Sequence, residues 1–83
     1  MTENHKKSVL NRMSRAAGHM EFVKRMIEDD RDPADILVQL AAVRSAVNST
    51  GMLMIEEEID EAIKSGDKER LEKLLKAMER YCK

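Results

Sequence analysis

The segment from Asp32 to Lys64 limits the possible folds of this chain more than any other segment. Pro33 opens it, Gly66 follows it, and most residues between them favour a helix. With a rise of about 1.5 Å per residue, such a helix would be roughly 48 Å long. Its apolar residues fall on more than one side, so the helix has to be buried on more than one side. A chain of 83 residues cannot cover that surface alone, and the pattern therefore predicts association with other chains.

Helical periodicity extends to the rest of the chain. Before this segment, apolar residues recur at three- and four-residue steps, and Gly18 among them predicts the close approach of another helix. Asp32 and Pro33 form a typical helix start, and Gly66 with Asp67 forms a typical break between helices. The sequence therefore predicts one all-α domain after a flexible tail, with the tail at 1–4, the domain at 5–83 and helices at about 5–29, 33–64 and 68–81.

Composition and motifs indicate the cellular compartment and exclude some classes of function. The single cysteine, Cys82, excludes an intrachain disulfide, fits a reducing compartment and is expected to be an inert terminal thiol. No signal peptide opens the chain and no unbroken apolar run is long enough to span a bilayer, so we expect a cytoplasmic protein with no membrane partner. The chain has no glycine-rich phosphate loop, His-Glu metal motif or Ser/His/Asp arrangement, so we do not expect an enzyme.

The net charge of −1 conceals an uneven distribution. Up to Arg25 the chain carries six Lys and Arg residues against two acidic residues. Such a segment is either a footprint for a polyanion or a solvated helix face, and charge alone favours the solvated face. Within it, Arg12, Arg15 and His19 have the spacing that places side chains on one face of a helix. His5 lies near the expected frayed helix start, and His19 is expected to be a polar surface residue.

Arg44 lies midway along the apolar segment and therefore needs an anionic partner. That partner is either an acidic side chain, such as Glu21 or Asp35, or a phosphate whose oxygens match the guanidinium fork. The sequence pattern alone leaves these two alternatives open.

The run from Glu56 to Glu61 is a second charged feature. It is either solvated and paired with lysines of another helix, or a site for a hard cation. Because adjacent glutamates point in different directions, the spacing does not favour the cation site.

Three segments together resemble one known family: LNRMSRAAGHM at 10–20, MIEDDRD at 26–32 and ILVQLAAVRSAVN at 36–48. This is the copper- and nickel-sensing repressor family (CsoR/RcnR-like), which also includes formaldehyde and persulfide sensors. The resemblance covers about residues 7–80. It implies a three-helix protomer, an antiparallel four-helix bundle dimer and a dimer-of-dimers tetramer that binds operator double-stranded DNA through a basic surface.

By this resemblance, the residues that contact DNA are Arg12, Arg15 and Arg44, and Lys6 and Lys7 extend the basic end of the first helix. The resemblance thus favours a phosphate, rather than an acidic side chain, as the partner of Arg44.

The resemblance breaks down at the family's metal or thiol site. That site uses a cysteine at the start of the second helix and a His/Cys or His/His pair four residues apart further along it. The corresponding residues here are Pro33, Glu58 and Ala62. None is a soft ligand, so neither Cu(I) binding nor thiol chemistry is expected there, and no cofactor is predicted. The remaining candidate metal ligands are His19, Glu57 and Glu61.

Two hypotheses follow from the sequence. The first is a DNA-binding transcriptional repressor whose inducer is unknown and is not Cu(I) at the usual site. The second is a helical interaction protein that has lost its ligand site and forms mixed oligomers with a sensing paralogue.

Overall fold

The computed structural model describes all 83 residues, which form three α-helices and no strands. Helix α1 spans Glu3–Glu28, α2 spans Pro33–Ser65 and α3 spans Lys68–Tyr81. The predicted all-α, three-helix protomer is therefore confirmed.

The start of α1 differs from the sequence prediction. The side chain of Thr2 accepts a hydrogen bond from the backbone N–H of His5 at 3.1 Å, so the helix begins at Glu3. Residues Glu3 and Asn4 are thus helical, whereas the sequence prediction placed them in the tail at 1–4. The reason is that Thr2 satisfies one of the backbone donors that a helix start leaves open.

The other helix ends follow the local sequence signals. The Asp32 side chain accepts from the backbone N–H of Ala34 at 2.9 Å, and Pro33 occupies the first turn of α2. Gly66 ends α2 in the left-handed conformation, with φ of 69°, which glycine adopts without steric cost. Asp67 then caps α3 by accepting from the backbone N–H of Arg70.

Helix α2 is the common support of the other two helices. His19 of α1 meets Gln39 near the connecting turn, and His5 meets Glu57 far from it, so α1 and α2 are antiparallel. Helix α3 packs back along the second half of α2, and α1 and α3 do not pack against each other. The protomer is consequently elongated, with extents of 53 × 27 × 13 Å.

The protomer has very little interior. Its radius of gyration is 16.3 Å, whereas a compact chain of this length would have about 12 Å. Only eight residues are buried, and six of them are apolar: Val9, Ala16, Val23, Met26, Val43 and Ala62. Large apolar side chains of α2 remain open, including Leu37 (65% exposed) and Val38 (66% exposed). A single protomer therefore does not cover the apolar surface of α2.

The expectation that no segment is long and apolar enough to span a bilayer has to be corrected for α2. Helix α2 is, by length and composition alone, apolar enough to cross a membrane, because an 18-residue window reaches a mean hydropathy of 1.2. The sequence contains no unbroken apolar run of that length, but the average over a window tolerates Arg44 and small polar residues. Core helices of soluble proteins pass the same test, so the property by itself is weak support for a membrane span.

The two mid-helix glycines differ in the space that surrounds them. A Cβ atom on Gly18 would meet nothing within 4 Å, so the close helix approach predicted there is absent from the protomer. A Cβ atom on Gly51 would overlap the phenol ring of Tyr81. The Tyr81 hydroxyl lies across α2 and donates to the carbonyl oxygen of Val47 at 3.1 Å. Gly51 thus makes room for the side chain that holds the end of α3 on α2.

The different surroundings of Gly51 and Gly18 predict that an alanine at each position will affect the free energy of unfolding differently. Gly51→Ala should lower the free energy of unfolding by about 1–3 kcal/mol, because the methyl group displaces Tyr81 and its hydrogen bond. Gly18→Ala should be neutral or stabilise by up to about 1 kcal/mol, through higher helix propensity. Urea unfolding at one fixed protein concentration measures both. A large loss for Gly18→Ala would instead show that a second subunit covers that glycine.

Candidate nucleic-acid interface

A cleft of about 260 Å³ lies between α1 and α2 and is lined on one side by basic residues. Helix α1 contributes Arg12, Arg15 and His19, and α2 contributes Ser49 and Thr50. The three basic residues face the cleft together because their spacing repeats at nearly whole helical turns. No carboxylate lines the cleft, so its charged groups are all positive or able to become positive.

Small residues bring the two helices together at the base of this cleft. Ala16 of α1 is buried there, and Ala46 of α2 lines the same space. The hydroxyl of Thr50 is satisfied within α2, because it donates to the carbonyl oxygen of Ala46 at 2.8 Å. The hydroxyl of Ser49 makes no hydrogen bond within the protomer, so it remains available to a ligand.

Neither Arg12 nor Arg15 forms an ion pair within the protomer. Arg15 is exposed and Arg12 is half-buried. Two guanidinium groups without acidic partners raise the local positive potential, which attracts an anion. Their planar forks suit phosphate oxygens in particular.

His19 is held in the cleft by a contact that the sequence analysis missed. Its Nε2 atom lies 2.8 Å from Oε1 of Gln39 on α2, and the ring of Phe22 stands 6.4 Å away between centroids. The half-buried His19 therefore links α1 to α2, instead of simply pointing into water. Only the antiparallel packing brings positions 19 and 39 together, so no local sequence signal could have revealed this pair.

Arg44 lies apart from the basic cleft. It borders an apolar groove along α2, formed together with Met20, Leu37, Leu40, Ala41, Val43, Val47, Asn48 and Tyr81. Since Arg44 and Ser49 are five residues apart, their side chains differ by about 140° around α2. The structure thus brings together only two of the three arginines assigned to DNA contact, and Arg44 is on a different surface of the protomer.

The acidic partners considered for Arg44 do not bind it. Arg44 is exposed and forms no ion pair within the protomer, whereas Glu21 pairs with Lys24 on its own helix at 4.0 Å. Lys6 and Lys7 are also exposed and border a shallow surface near the start of α1. All five residues assigned to DNA contact therefore remain without a carboxylate partner in the protomer.

The acidic half of α2 is compensated internally. Glu57 contacts Nδ1 of His5, and His5 is almost fully buried, so its expected position at a frayed helix start is wrong. Glu58 lies 3.6 Å from the guanidinium of Arg70 on α3 and is itself largely buried. Asp60 hydrogen-bonds Lys64 one turn further along α2, which raises the pKa of the Lys64 ammonium group. The partners are a histidine of α1, an arginine of α3 and a lysine of α2 itself, whereas the sequence predicted lysines of another helix.

The residues at the family's ligand positions do not fit a soft metal. Pro33 has no donor atom in its side chain, Ala62 is a buried methyl group, and Glu58 already faces Arg70. No group of three His, Cys, Asp or Glu side chains in the protomer could hold a metal ion. Positions 33 and 58 are also about 37 Å apart along one helix, so a site using both would need two subunits. That Cu(I) does not bind there stays a prediction.

Comparison with known proteins identifies the family. Residues 5–80 match the model of the family described as metal-sensitive transcriptional repressor. The chain belongs to this family of transcriptional repressors. The copper-sensing transcriptional repressor CsoR of Bacillus subtilis (strain 168) is 35% identical over 92 aligned residues, which cover 99% of this chain and 91% of the relative. The predicted family is thus confirmed, as is the expectation that the chain is a regulator and not an enzyme.

Two solved structures of similar proteins have the same fold. One is the copper-sensing repressor CsoR with Cu(I) from Geobacillus thermodenitrificans NG80-2, with a TM-score of 0.84 and 30% identity. It matches 100% of this chain and 92% of the CsoR chain. The other is the nickel-responsive transcriptional regulator InrS, with a TM-score of 0.77, 31% identity and 90% of each chain covered.

The ligand positions lead to a prediction about Cu(I). The protein should fail to retain Cu(I) in an anaerobic competition with bicinchoninate, because no thiolate or imidazole occupies those positions. Cys82 is exposed, and Cys82→Ser therefore serves as the control for adventitious thiol binding. The copper complex of the chelator is followed by its absorbance. Stoichiometric retention of Cu(I) by Cys82→Ser would contradict the prediction.

Proposed function

We propose that this family member is a cytoplasmic DNA-binding repressor whose oligomer contacts operator phosphates through Arg12, Arg15 and Arg44, assisted by Lys6 and Lys7. The observation that carries the proposal is the basic cleft between α1 and α2. Its two arginines converge, have no acidic partner and face a space without carboxylates. The membership in a repressor family makes DNA the expected polyanion.

Phosphate contacts account for the expected strength and character of this binding. Each Lys or Arg that neutralises a phosphate releases condensed counterions, so affinity falls steeply as the salt concentration rises. Such contacts position the protein on the duplex without reading the base sequence. The proposed surface therefore explains affinity and register, and sequence selectivity has to come from further contacts or from the shape of the DNA.

Oligomerisation is the second part of the proposal. An antiparallel four-helix bundle dimer would cover the apolar groove beside Arg44, including the exposed Leu37 and Val38. A dimer of dimers would then present several basic clefts on one assembly. This arrangement also offers a way to align Arg44 of one protomer with Arg12 and Arg15 of another, which a single protomer does not do.

The signal to which the protein responds is the third part. We propose that the inducer is not Cu(I) at the position used by copper-sensing relatives, because Pro33, Glu58 and Ala62 offer no soft donor. The side-chain oxygens of Glu57 and Glu58 are drawn to His5 and Arg70, which leaves fewer of them for a hard cation.

The alternative hypothesis, an interaction protein without regulatory function, is not favoured. The full-length match to a family of repressors and the free arginines of the basic cleft both support the first hypothesis. No observation points to a paralogue subunit.

Replacing the arginines should weaken DNA binding. Arg15→Ala and Arg44→Ala should each lose at least about tenfold in affinity at moderate salt, because each change removes a phosphate contact from every subunit. The matched control is Arg25→Ala, which removes the same charge in the last turn of α1, about 15 Å along the helix from Arg15. Fluorescence anisotropy with a labelled duplex from the region upstream of the protein's own gene measures all four proteins. Full affinity in both Arg15→Ala and Arg44→Ala would refute the proposed surface.

The oligomer can be tested separately from DNA. Leu37→Lys should dissociate the assembly, because a lysine in the apolar groove of α2 would lose its hydration on association. Glu28→Lys, at the exposed end of α1, introduces the same side chain and should leave the assembly intact. Sedimentation velocity should give four times the 9.5 kDa chain mass for the native protein. A monomer at all concentrations would contradict this part of the proposal.

A further inference from the structure

We propose that the cleft between α1 and α2 is a phosphate-binding site in which His19 is a proton-gated third cation beside Arg12 and Arg15. The inference rests on the proposed function, because the phosphate meant is one of the DNA backbone. It adds a contact residue to the basic surface and makes DNA affinity depend on pH.

His19 lies in the cleft beside the two arginines. The imidazole shares its face of α1 with the two arginines and lines the same cleft. Its Nε2 atom lies 2.8 Å from the amide oxygen of Gln39, so this nitrogen donates a hydrogen to Gln39. Gln39 is therefore a positioning residue: it fixes the ring and assigns the hydrogen of the neutral imidazole to Nε2.

The protonation state of His19 decides whether Nδ1 can donate a hydrogen bond to a phosphate. With Nε2 donating to Gln39, Nδ1 of the neutral ring has a lone pair, which a phosphate oxygen would not approach. Protonation converts Nδ1 into a second donor and gives the ring a positive charge. Imidazole is the side chain that can change its charge near neutral pH, whereas the guanidinium groups of the arginines stay charged. The third cation of the cleft is thus present only when the ring is protonated.

The residues around His19 in the cleft are either positively charged or uncharged. From α1, the charged groups that line the cleft are Arg12 and Arg15, and both are positive. From α2, the lining residues are uncharged, and α3 contributes none. No carboxylate lines the cleft, so a phosphate bound in it would supply the negative charge that stabilises the protonated ring. The free hydroxyl of Ser49 on the opposite wall provides one further donor to the same phosphate.

DNA binding at two pH values tests this inference. Anisotropy with the labelled upstream duplex should show native protein binding about tenfold tighter at pH 6 than at pH 8, because one charge-assisted hydrogen bond per cleft is gained. His19→Gln, which keeps an amide near Gln39 but cannot be protonated, should bind equally at both pH values. The control is His5→Gln, which alters the other histidine of the chain and should keep the native pH dependence.

The salt dependence gives a second readout. At pH 6, the slope of log affinity against log salt should be smaller in magnitude for His19→Gln than for native protein, by about one for each cleft in contact with DNA. At pH 8 the two slopes should agree. Equal slopes at pH 6, or a native pH dependence that survives in His19→Gln, would overturn the role of His19.

Inorganic phosphate separates this inference from the proposed function. In NMR spectra of native protein at pH 6, added phosphate should shift the ring signals of His19, and Arg15→Ala should weaken that shift. If phosphate leaves the His19 signals unchanged, the site is refuted even where DNA binds through the arginines. If phosphate shifts them and no DNA binds at any pH, the cleft holds phosphate and the repressor surface is refuted instead.

Discussion

Helix α2 supports both other helices, yet it is longer and more apolar than they can cover. The helix has 33 residues, whereas α1 has 26 and α3 has 14. Helix α1 runs antiparallel along α2 and α3 packs back along its second half, and together they leave apolar side chains of its first half open. A protomer with eight buried residues has a small interior for a chain of this length. In the proposed oligomer, further copies would bury this surface, and folding would then be coupled to assembly.

The charges of the protomer are arranged in two contrasting regions. In the second half of α2, the carboxylates of Glu57, Glu58 and Asp60 are each in contact with a basic side chain. In the cleft between α1 and α2, the arginines have no such partner. Net charge near zero therefore does not reflect the field at the cleft, because no carboxylate lines it. The proposed DNA binding would depend on this separation of charge.

The fold of the chain matches that of a copper-sensing repressor, but the residues at the ligand positions do not fit copper. The fold agrees with a copper-sensing repressor at a TM-score of 0.84, yet the positions of the usual ligands hold a proline, a glutamate and an alanine. A helical scaffold depends on apolar periodicity and helix ends, which tolerate changes at individual surface positions. A metal site depends on a few donor atoms, so a scaffold can be retained while its signal changes. The basic cleft belongs to the scaffold's charged surface and does not require the metal site to be present.

The three helices, the breaks at Asp32-Pro33 and Gly66, and the shared face of Arg12, Arg15 and His19 could all be predicted from the residues alone. These features depend on caps, propensities and helical spacing, which act over a few neighbouring residues. Four further features became visible only in the packed helices: His19 binds Gln39, Tyr81 lies over Gly51, His5 is buried beside Glu57, and Arg44 lies apart from the other arginines. Each of these relations depends on the rotation and register of one helix against another. The packing of side chains far apart in the chain sets that register, and no local pattern contains it.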